Sequence, residues 1–357
     1  MDVAQPEDGS QSIAPQIVTT GSGNKPAHLS LGLGEIVEPE TTVRGTARSP
    51  EDVGRSHNVG DVAMRALTAG TAIGAIAILA VMFGVLIVSS WSAITHYGWS
   101  FFTAPATAAV PFVSSAAIIG TLYSSFLALL IAAPVGVLIA VFLSEMAHGR
   151  VGLPLGFLVE FLAAIPSIVY GLWALFVLVP LVRQYVLPPL TGHFGGFFLF
   201  ANASPTGFGL LTAALVLSIM IVPTIAALSR DVMRAVPASQ REAMLALGAT
   251  RWEVTWKVVV PYARSGIIGG IVLGLGRAVG ETMAVQMVIG NNIIASGASI
   301  LSPTTTIPAI LVNQFNDSTA LYRDTLLELA LLLMVIAVGL NAAARLLVWS
   351  VTRKYSM

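Results

Sequence analysis

The chain contains no cysteine among its 357 residues. Disulfide bonds, thiolate nucleophiles and cysteine-based zinc or iron–sulfur sites are therefore excluded. The five histidines are scattered, without the short spacings typical of metal ligands, at His28, His57, His96, His148 and His193. The sequence thus predicts no metal site, and no cofactor of another kind is expected.

Charged residues are scarce as well. They make up 10% of the chain, whereas 55% of it is hydrophobic and the mean hydropathy is +0.83. An ordinary soluble domain is about one quarter charged. A chain with so few polar groups cannot cover its surface with them, so we expect an integral membrane protein surrounded largely by lipid, and no nucleic-acid partner.

Residues 1–63 contain almost no periodic apolar pattern and are rich in glycine, proline, serine and threonine. Such a segment buries too little apolar surface to offset the entropy lost on folding, so it is predicted to be a disordered tail. Its length and polarity are unlike those of the first region of a signal peptide. It is either a solvated tail or a regulatory or partner-binding segment.

The remaining part, residues 64–353, contains six apolar spans, each near or above the roughly 20 residues that a helix needs to cross a bilayer. The predicted spans are 66–90, 112–143, 153–181, 208–228, 265–289 and 326–349. The sequence therefore predicts an all-α membrane protein with six transmembrane helices. The third span carries Glu160 and a break at Pro166.

The basic residues predict the orientation. If the N-terminus is cytoplasmic, most of the 18 basic residues lie on that side, including Arg230, Arg234, Arg241, Arg251, Lys257 and Arg264 between the fourth and fifth spans. Only Arg183 and Arg323 then fall in the outer loops. Because cytoplasmic loops are enriched in lysine and arginine, both termini are predicted to be cytoplasmic.

The polar segment 231–264 joins the fourth and fifth spans and is predicted to form two short helices. Pro237 suits the first turn of a helix over 239–247. Gly248 is placed to end this helix, where a left-handed backbone conformation favours glycine.

The second short helix begins with a capping box. In this motif the side chains of Thr250 and Glu253 each bond the other's free backbone N–H group. Pro261 is predicted to end this helix before the fifth span.

This segment also carries a family motif. Its residues, Glu242-Ala243-Met244, then Gly248, then Val258-Val259-Val260-Pro261, resemble the EAA loop of ABC importer permeases. The resemblance implies that Glu242, Ala243, Gly248 and Pro261 belong to a loop that docks into a separate ATPase subunit. An amphipathic helix at the membrane surface is the alternative, but it does not explain the Glu–Gly–Pro spacing.

The lysines indicate that the ATPase is a different chain. A phosphate-binding P-loop needs a lysine followed by serine or threonine. The only lysines, Lys25, Lys257 and Lys354, precede proline, valine and tyrosine. If transport is driven by ATP, another subunit must bind it in this way, and the chain is not expected to be an enzyme itself.

The fifth span carries two charges in a glycine-rich apolar helix predicted over 264–290. Arg277 is about twelve residues from the start of the fifth span at 265, or roughly 18 Å at 1.5 Å per residue, near the middle of the membrane. Glu281, four residues later, is predicted to lie on the same helix face, where the two can pair. Charges at this depth usually face a cavity or a partner. We interpret the two charges either as a cationic site that an anion passes during transport or as an ion pair that only orders the helix bundle.

The glycines of the same span are spaced for close packing. Gly266, Gly270 and Gly274 recur every four residues, a pattern that lets another helix approach. The span is therefore predicted to lie against a partner helix.

A narrower resemblance rests on two segments. Residues Gly274 to Ala284, GLGRAVGETMA, look like the signature of phosphate importer permeases, and Ala164 to Gly171, AIPSIVYG, is similar to their matching segment. With Trp252-Glu253-Val254 these favour the PstC-type subunit over its PstA-type partner. In that family a membrane arginine and glutamate are implicated in transport, and they correspond to Arg277 and Glu281.

The resemblance implies an ABC importer type I permease fold in the inner (plasma) membrane. It also implies three kinds of partner: a PstA-like permease, a PstB-like ATPase dimer and a PstS-like phosphate-binding protein. A permease for sulfate or molybdate is the near alternative. An ion-coupled secondary transporter and an intramembrane enzyme are the more distant ones.

Overall fold

The computed structural model describes residues 59–103, 109–147, 149–201, 203–292, 299–318 and 320–353. The chain divides into two compact units, Met1–Arg65 and Ala66–Met357. Of the first unit only the start of a helix is described, so nearly all of the predicted tail lies outside the described residues. Apart from the first residues of that helix, all features below belong to the second unit.

The regular secondary structure of the described residues is helical, apart from an isolated parallel bridge between Gly290 and Thr304. The α-helices are α1 (Val59–Tyr97), α2 (Ser100–Thr103), α3 (Ala109–Val141), α4 (Gly149–Ala164), α5 (Ser167–Trp173), α6 (Val179–Leu181), α7 (Leu187–Phe194), α8 (Leu210–Arg234), α9 (Ala238–Ala246), α10 (Arg251–Val254), α11 (Val260–Val279), α12 (Met283–Val288), α13 (Ile307–Gln314) and α14 (Ala320–Arg353). Single π-helical turns join several of them end to end, at Ala174–Leu178, Val182–Val186 and Thr255–Val259, and another, Phe142–Met146, ends α3.

Six helical stretches are long and apolar enough to cross a membrane, which confirms the predicted fold class. They are Gly60–Tyr97, Ser115–Met146, Ser167–Phe194, Leu210–Arg234, Arg251–Val279 and Leu321–Leu346.

The third stretch differs from its predicted bounds of 153–181. Proline has no N–H group and restricts the residue before it, so α4 ends at Ala164 and a new helix begins at Ser167. That helix continues to Phe194 and is long enough to cross on its own. The residues before the break form the separate 16-residue helix α4, about 24 Å long at 1.5 Å per residue.

Helix α8 is the centre of the bundle. Within its most apolar window 67% of the residues are buried, against 0% for α1. Leu217, Met220 and Ile221 are completely covered and belong to the largest apolar cluster. Helix α3 packs closely on α8, because Gly136 leaves room for the side chain of Ile225.

The prediction that Pro261 ends a helix is wrong. The helix that begins at Arg251 runs without interruption to Val279, with Pro261 in the first turn of α11. A π turn at Thr255–Val259 directly precedes it. Such local changes of register satisfy the backbone groups that a proline frees, so the helix continues through it.

The two ends of the bundle are distinguished by the helices that they carry. The end with α9 also holds the π turn Phe142–Met146, and is called the α9 end. At the opposite, α13 end, residues 299–306 form a loop that bonds to the start of α8 and leads into α13. Leu210 N donates to Ser302 O over 3.2 Å, and Ile307 N donates to Thr121 Oγ1 over 2.9 Å.

Candidate coupling surface and membrane charge site

Helix α9 forms where predicted, to within one residue, and ends as glycine requires. Gly248 has a φ of +84°. Its N–H donates to Leu245 O over 2.9 Å, and the next N–H, of Ala249, donates to Met244 O over 3.2 Å. This pair of bonds is the Schellman motif, which satisfies the last carbonyls of a helix through a left-handed residue.

The predicted capping box is confirmed. Glu253 N donates to Thr250 Oγ1 over 3.3 Å, and Thr250 N donates to Glu253 Oε2 over 3.0 Å. Glu253 also accepts a bond of 3.0 Å from Lys257, four residues later. Two helix ends are therefore fixed within the few residues that separate α9 from α10.

Only one side of helices α9 and α10 packs against the rest of the protein. Met244 and Ala249 contact an apolar cluster that includes Val254 and Val259. The other side is exposed and carries large apolar groups.

We call this exposed side the coupling surface; it consists of Glu242, Ala243, Leu245, Leu247, Gly248 and Trp252. Leu247 is 82% exposed and Trp252 is 56% exposed. Exposed apolar side chains next to polar ones are typical of a surface that binds another protein.

Pro261 lies near Gln240 of α9, although it is distant from that helix in sequence. An open groove of about 490 Å³ is lined by residues of both parts of the segment, namely Gln240, Lys257, Val258, Pro261, Tyr262, Arg264 and Ser265. The structure thus brings the Glu–Ala–Gly part of the predicted motif and its proline to one end of the bundle.

An ion pair that the sequence analysis missed holds α9 in place. Arg241 Nη2 and Nε donate to the two carboxylate oxygens of Glu145 over 3.0 and 3.3 Å. Arg241 also donates to Met233 O over 2.7 Å and to Val236 O over 2.5 Å. A single side chain of α9 therefore contacts both the end of α8 and the π turn that follows α3.

In the membrane, Arg277 lies in the last turn of α11 and is half-buried. Its Nη1 donates to the hydroxyl of Thr224 in α8 over 3.2 Å. The predicted pairing with Glu281 is absent from the ion pairs of the described residues.

The reason is that α11 ends at Val279, with Gly280 as its cap, so the predicted helix over 264–290 is not continuous. Glu281 follows in the break, and its Oε1 accepts from Ala284 N over 3.2 Å. It therefore occupies the start of α12 instead of the face of α11 that carries Arg277.

The two sequence segments of the narrower resemblance come together. A Cβ atom on Gly171 would lie 3.0 Å from Ala284 Cα, so α5 approaches α12 more closely than a larger residue would permit. Tyr170 donates to Leu162 O over 2.8 Å, across the break in the third stretch.

The glycines of α11 contact a helix as predicted, and that helix is α8. Cβ atoms on Gly270 and Gly274 would lie 3.3 Å from Leu228 Cβ and 2.9 Å from Ile225 Cγ1. A Cβ on Gly266 would meet the side chain of Val232. This close approach is what places Arg277 against Thr224.

Glu160 has a structural partner. It accepts a bond of 2.6 Å from Arg230, which also bonds Asp231 over 2.7 Å. The side chain of Arg230 is only 7% exposed, so these carboxylates supply the bonds that a buried guanidinium requires. The pair fastens α4 to α8.

Within the residues that the structure describes, no group of three histidine, aspartate or glutamate side chains is placed to hold a metal ion.

Comparison with known proteins identifies the family. Residues 132–353 match the family described as "Binding-protein-dependent transport system inner membrane component". This chain belongs to that family. It is a multi-pass inner membrane protein, and its family members are permease subunits of transporters.

Individual relatives cover most of the chain. It is 42% identical over 304 residues to "Phosphate transport system permease protein PstC" of Pasteurella multocida (strain Pm70), across 84% of this chain and 95% of the relative. It is 46% identical over 240 residues to the protein of the same name from Xylella fastidiosa (strain Temecula1 / ATCC 700964), across 66% and 74%.

A solved structure shares the fold. The crystal structure of a bacterial alginate ABC transporter in complex with an alginate-bound periplasmic protein contains a chain that matches with a TM-score of 0.54. The match covers 80% of this chain and 94% of that one, at 16% sequence identity. It supports the ABC importer permease fold alone.

Proposed function

We propose that this chain is the permease subunit of an ATP-driven importer of inorganic phosphate and forms half of the translocation pore. The observation that carries the proposal is the coupling surface, an exposed helix–glycine–helix unit held rigidly at one end of a six-helix family member. The substrate follows from its similarity to permeases named for phosphate transport.

The α9 end is proposed to face the cytoplasm. The basic cluster between α8 and α11 lies there, as the enrichment of positive residues in cytoplasmic loops requires. Since six stretches cross the membrane, both termini are then cytoplasmic. The coupling surface meets an ATPase subunit, which binds and hydrolyses ATP in place of this chain.

Arg277 is proposed to compensate the charge of phosphate as it passes. An arginine side chain is always protonated, and its planar fork matches the geometry of phosphate oxygens. Among the described residues Arg277 donates only to the neutral hydroxyl of Thr224. Its positive charge is therefore not cancelled by direct pairing and is available to an anion.

Glu281 is proposed to limit how tightly the anion is held. It follows Arg277 by four residues and lies in the break between α11 and α12. A nearby negative charge weakens anion binding without forming an ion pair, since electrostatic interactions extend beyond direct contact. Binding must be weak enough for release if the substrate is to pass through.

The partners implied are a related permease that completes the pore, two ATPase subunits at the α9 end and a phosphate-binding protein at the α13 end. ATP-driven movement of the ATPase would displace α9 and alternate the access of the pore. Two readings compete with this one: a permease for sulfate or molybdate, and a secondary transporter that works alone. The relatives' names favour phosphate over both.

The test is purification of the chain from its native membrane, followed by reconstitution into lipid vesicles. A second permease, an ATPase and a phosphate-binding protein should copurify. Uptake of radiolabelled phosphate should require ATP on the α9 side, and excess sulfate or molybdate should not compete. A chain that purifies alone and transports without ATP would instead be a secondary transporter.

A further inference from the structure

The ion pair between Glu145 and Arg241 joins two helices that are far apart in sequence. Both side chains are largely covered, with 11% of Glu145 and 23% of Arg241 exposed. Two nitrogens of one guanidinium bond the two oxygens of one carboxylate, an arrangement that fixes relative orientation as well as distance. A displacement of α9 therefore displaces the end of the α3 segment.

A second contact strengthens the same connection. Arg234, in the last turn of α8, donates to Leu143 O over 3.2 Å. The π turn after α3 is thus bonded by arginines from both α8 and α9.

Helix α3 and its π turn form one continuous helical segment from Ala109 to Met146. From Thr121 to Glu145 it is about 36 Å long at 1.5 Å per residue, which exceeds the hydrocarbon thickness of a bilayer. It packs closely on α8 through Gly136. The segment contains Pro134, but it stays helical through that residue and can therefore carry a displacement along its length.

On the other side of the bundle, this segment contacts the 299–306 loop and the start of α13 through Gly120 and Thr121. Gly120 lies directly against this loop, because a Cβ atom there would overlap the carbonyl oxygen of Thr305. Thr121 Oγ1 accepts a 2.9 Å bond from Ile307 N, at the first residue of α13. That N–H is one of the helix-start donors that need a partner outside their own helix.

We infer that α3 is a strut that transmits movement of the coupling surface to the 299–306 loop and α13, and that Glu145 and Arg241 are the positioning residues that engage it. This inference rests on the proposed function, since it assumes that an ATPase moves α9. It adds a route to the opposite side of the membrane that does not pass through α11 and Arg277.

The experiment uses the complete importer in lipid vesicles, and a single reporter cysteine. Because the chain contains no cysteine, Ser302→Cys creates the only thiol on this subunit, in the 299–306 loop where Ser302 is 5% exposed. The rate of labelling by a membrane-impermeant maleimide is measured from the α13 side. It is compared between the nucleotide-free complex and the complex trapped with ATP and vanadate.

With the native ion pair, the labelling rates of the two states should differ by about tenfold. A tenfold ratio corresponds to a difference of about 1.4 kcal/mol in the free energy of exposing the thiol. Glu145→Gln should reduce this difference to less than about twofold, because the neutral side chain no longer forms the charged fork. If Glu145→Gln left this difference unchanged, the proposed role of α3 would be wrong. It would also be wrong if the labelling rate of Ser302→Cys did not respond to nucleotide in an importer that still takes up phosphate. Loss of ATP-dependent uptake in the unmutated importer would instead overturn the proposed function.

A double variant separates transmission from folding. Glu145→Gln alone leaves a covered arginine without its carboxylate, which is strongly destabilising. Replacing both partners, as Glu145→Gln with Arg241→Gln, removes the unpaired charge and should restore assembly. Assembly of the complex should then recover, whereas the difference in labelling rate between the two states should stay lost. If both recovered, the ion pair would be needed only for folding.

The matched control is Arg150→Gln, which removes another arginine at the α9 end. Arg150 is exposed and forms no ion pair among the described residues. Its labelling difference should equal that of the unmutated importer. A comparable loss in this control would show that net charge, and not the Glu145–Arg241 contact, governs the response.

Discussion

Arg277 donates a 3.2 Å hydrogen bond to Thr224, across the contact between α11 and α8. The partner is a neutral hydroxyl, so the guanidinium is oriented but keeps its full charge. In a structural ion pair, a carboxylate of the protein would instead have neutralised the positive charge of Arg277. The observed arrangement fits the proposed transport role of Arg277 better than the structural one.

Arg277→Ala should abolish phosphate uptake while the complex still assembles. Uptake of radiolabelled phosphate into vesicles and copurification of the other subunits measure the two effects separately. Thr224→Val is the matched variant, because it removes the orienting hydroxyl and keeps the charge. A hydrogen bond donated by a charged group contributes about 1.5–3 kcal/mol, so uptake should fall by roughly ten- to hundredfold but should not be abolished. Normal uptake by Arg277→Ala would exclude a pathway role.

Glu281 can be tested for its charge separately from its bond to Ala284 N. Glu281→Gln keeps an oxygen that accepts this bond and removes the negative charge. If the charge weakens anion binding, the variant should bind phosphate more tightly and release it more slowly. Both the KM and the kcat of uptake should then fall, as expected when ground-state destabilisation is removed. A rise in KM with unchanged kcat would contradict this role.

Gly248 should tolerate only residues that adopt its backbone conformation. Its φ is +84°, yet no other atom lies within 4 Å of a Cβ placed there, so the cost of substitution is in the backbone alone. Gly248→Asp adds charge to the coupling surface as well as strain, and should dissociate or uncouple the ATPase. Copurification of the ATPase and phosphate uptake give the measurement.

Gly248→Asn is the control for this position. Asparagine adopts the left-handed conformation more readily than most residues and carries no charge. It should retain most of the bound ATPase. Full transport by Gly248→Asp would show that the ATPase docks elsewhere.

Features that depend on neighbouring residues could be predicted from the sequence. The Schellman end at Gly248 and the capping box of Thr250 and Glu253 each involve residues at most five apart, and both formed as expected. The six apolar stretches are similarly local, because helix length and composition alone decide whether a stretch can cross a bilayer.

Features that depend on where a helix stops, or on contacts between distant segments, could not be predicted. The pairing of Arg277 with Glu281 assumed that α11 continues, whereas the helix ends before Gly280. In the third stretch the break at Pro166 was recognised, but not that the residues after it are the ones that cross. Glu145 and Arg241 are 96 positions apart, and no periodic pattern in one sequence relates them.

The glycines of α11 provide the last test, of whether close packing against α8 positions Arg277. Gly274→Ala places a Cβ 2.9 Å from Ile225 Cγ1, so the two helices must separate. Overpacking of this kind costs about 1–3 kcal/mol. Gly269→Ala on the exposed side of the same helix meets no atom within 4 Å, and replacing a helical glycine by alanine there should stabilise by up to about 1 kcal/mol.

The midpoint of thermal unfolding of the purified complex should therefore fall for Gly274→Ala and remain level or rise for Gly269→Ala. Phosphate uptake should fall with the first variant alone, because separating α11 from α8 moves Arg277 away from Thr224. If both variants unfolded at the same temperature and transported equally, helix contact at Gly274 would not control the position of Arg277. The position of the Arg277 side chain would then have to be set by the break at Gly280 and by α12.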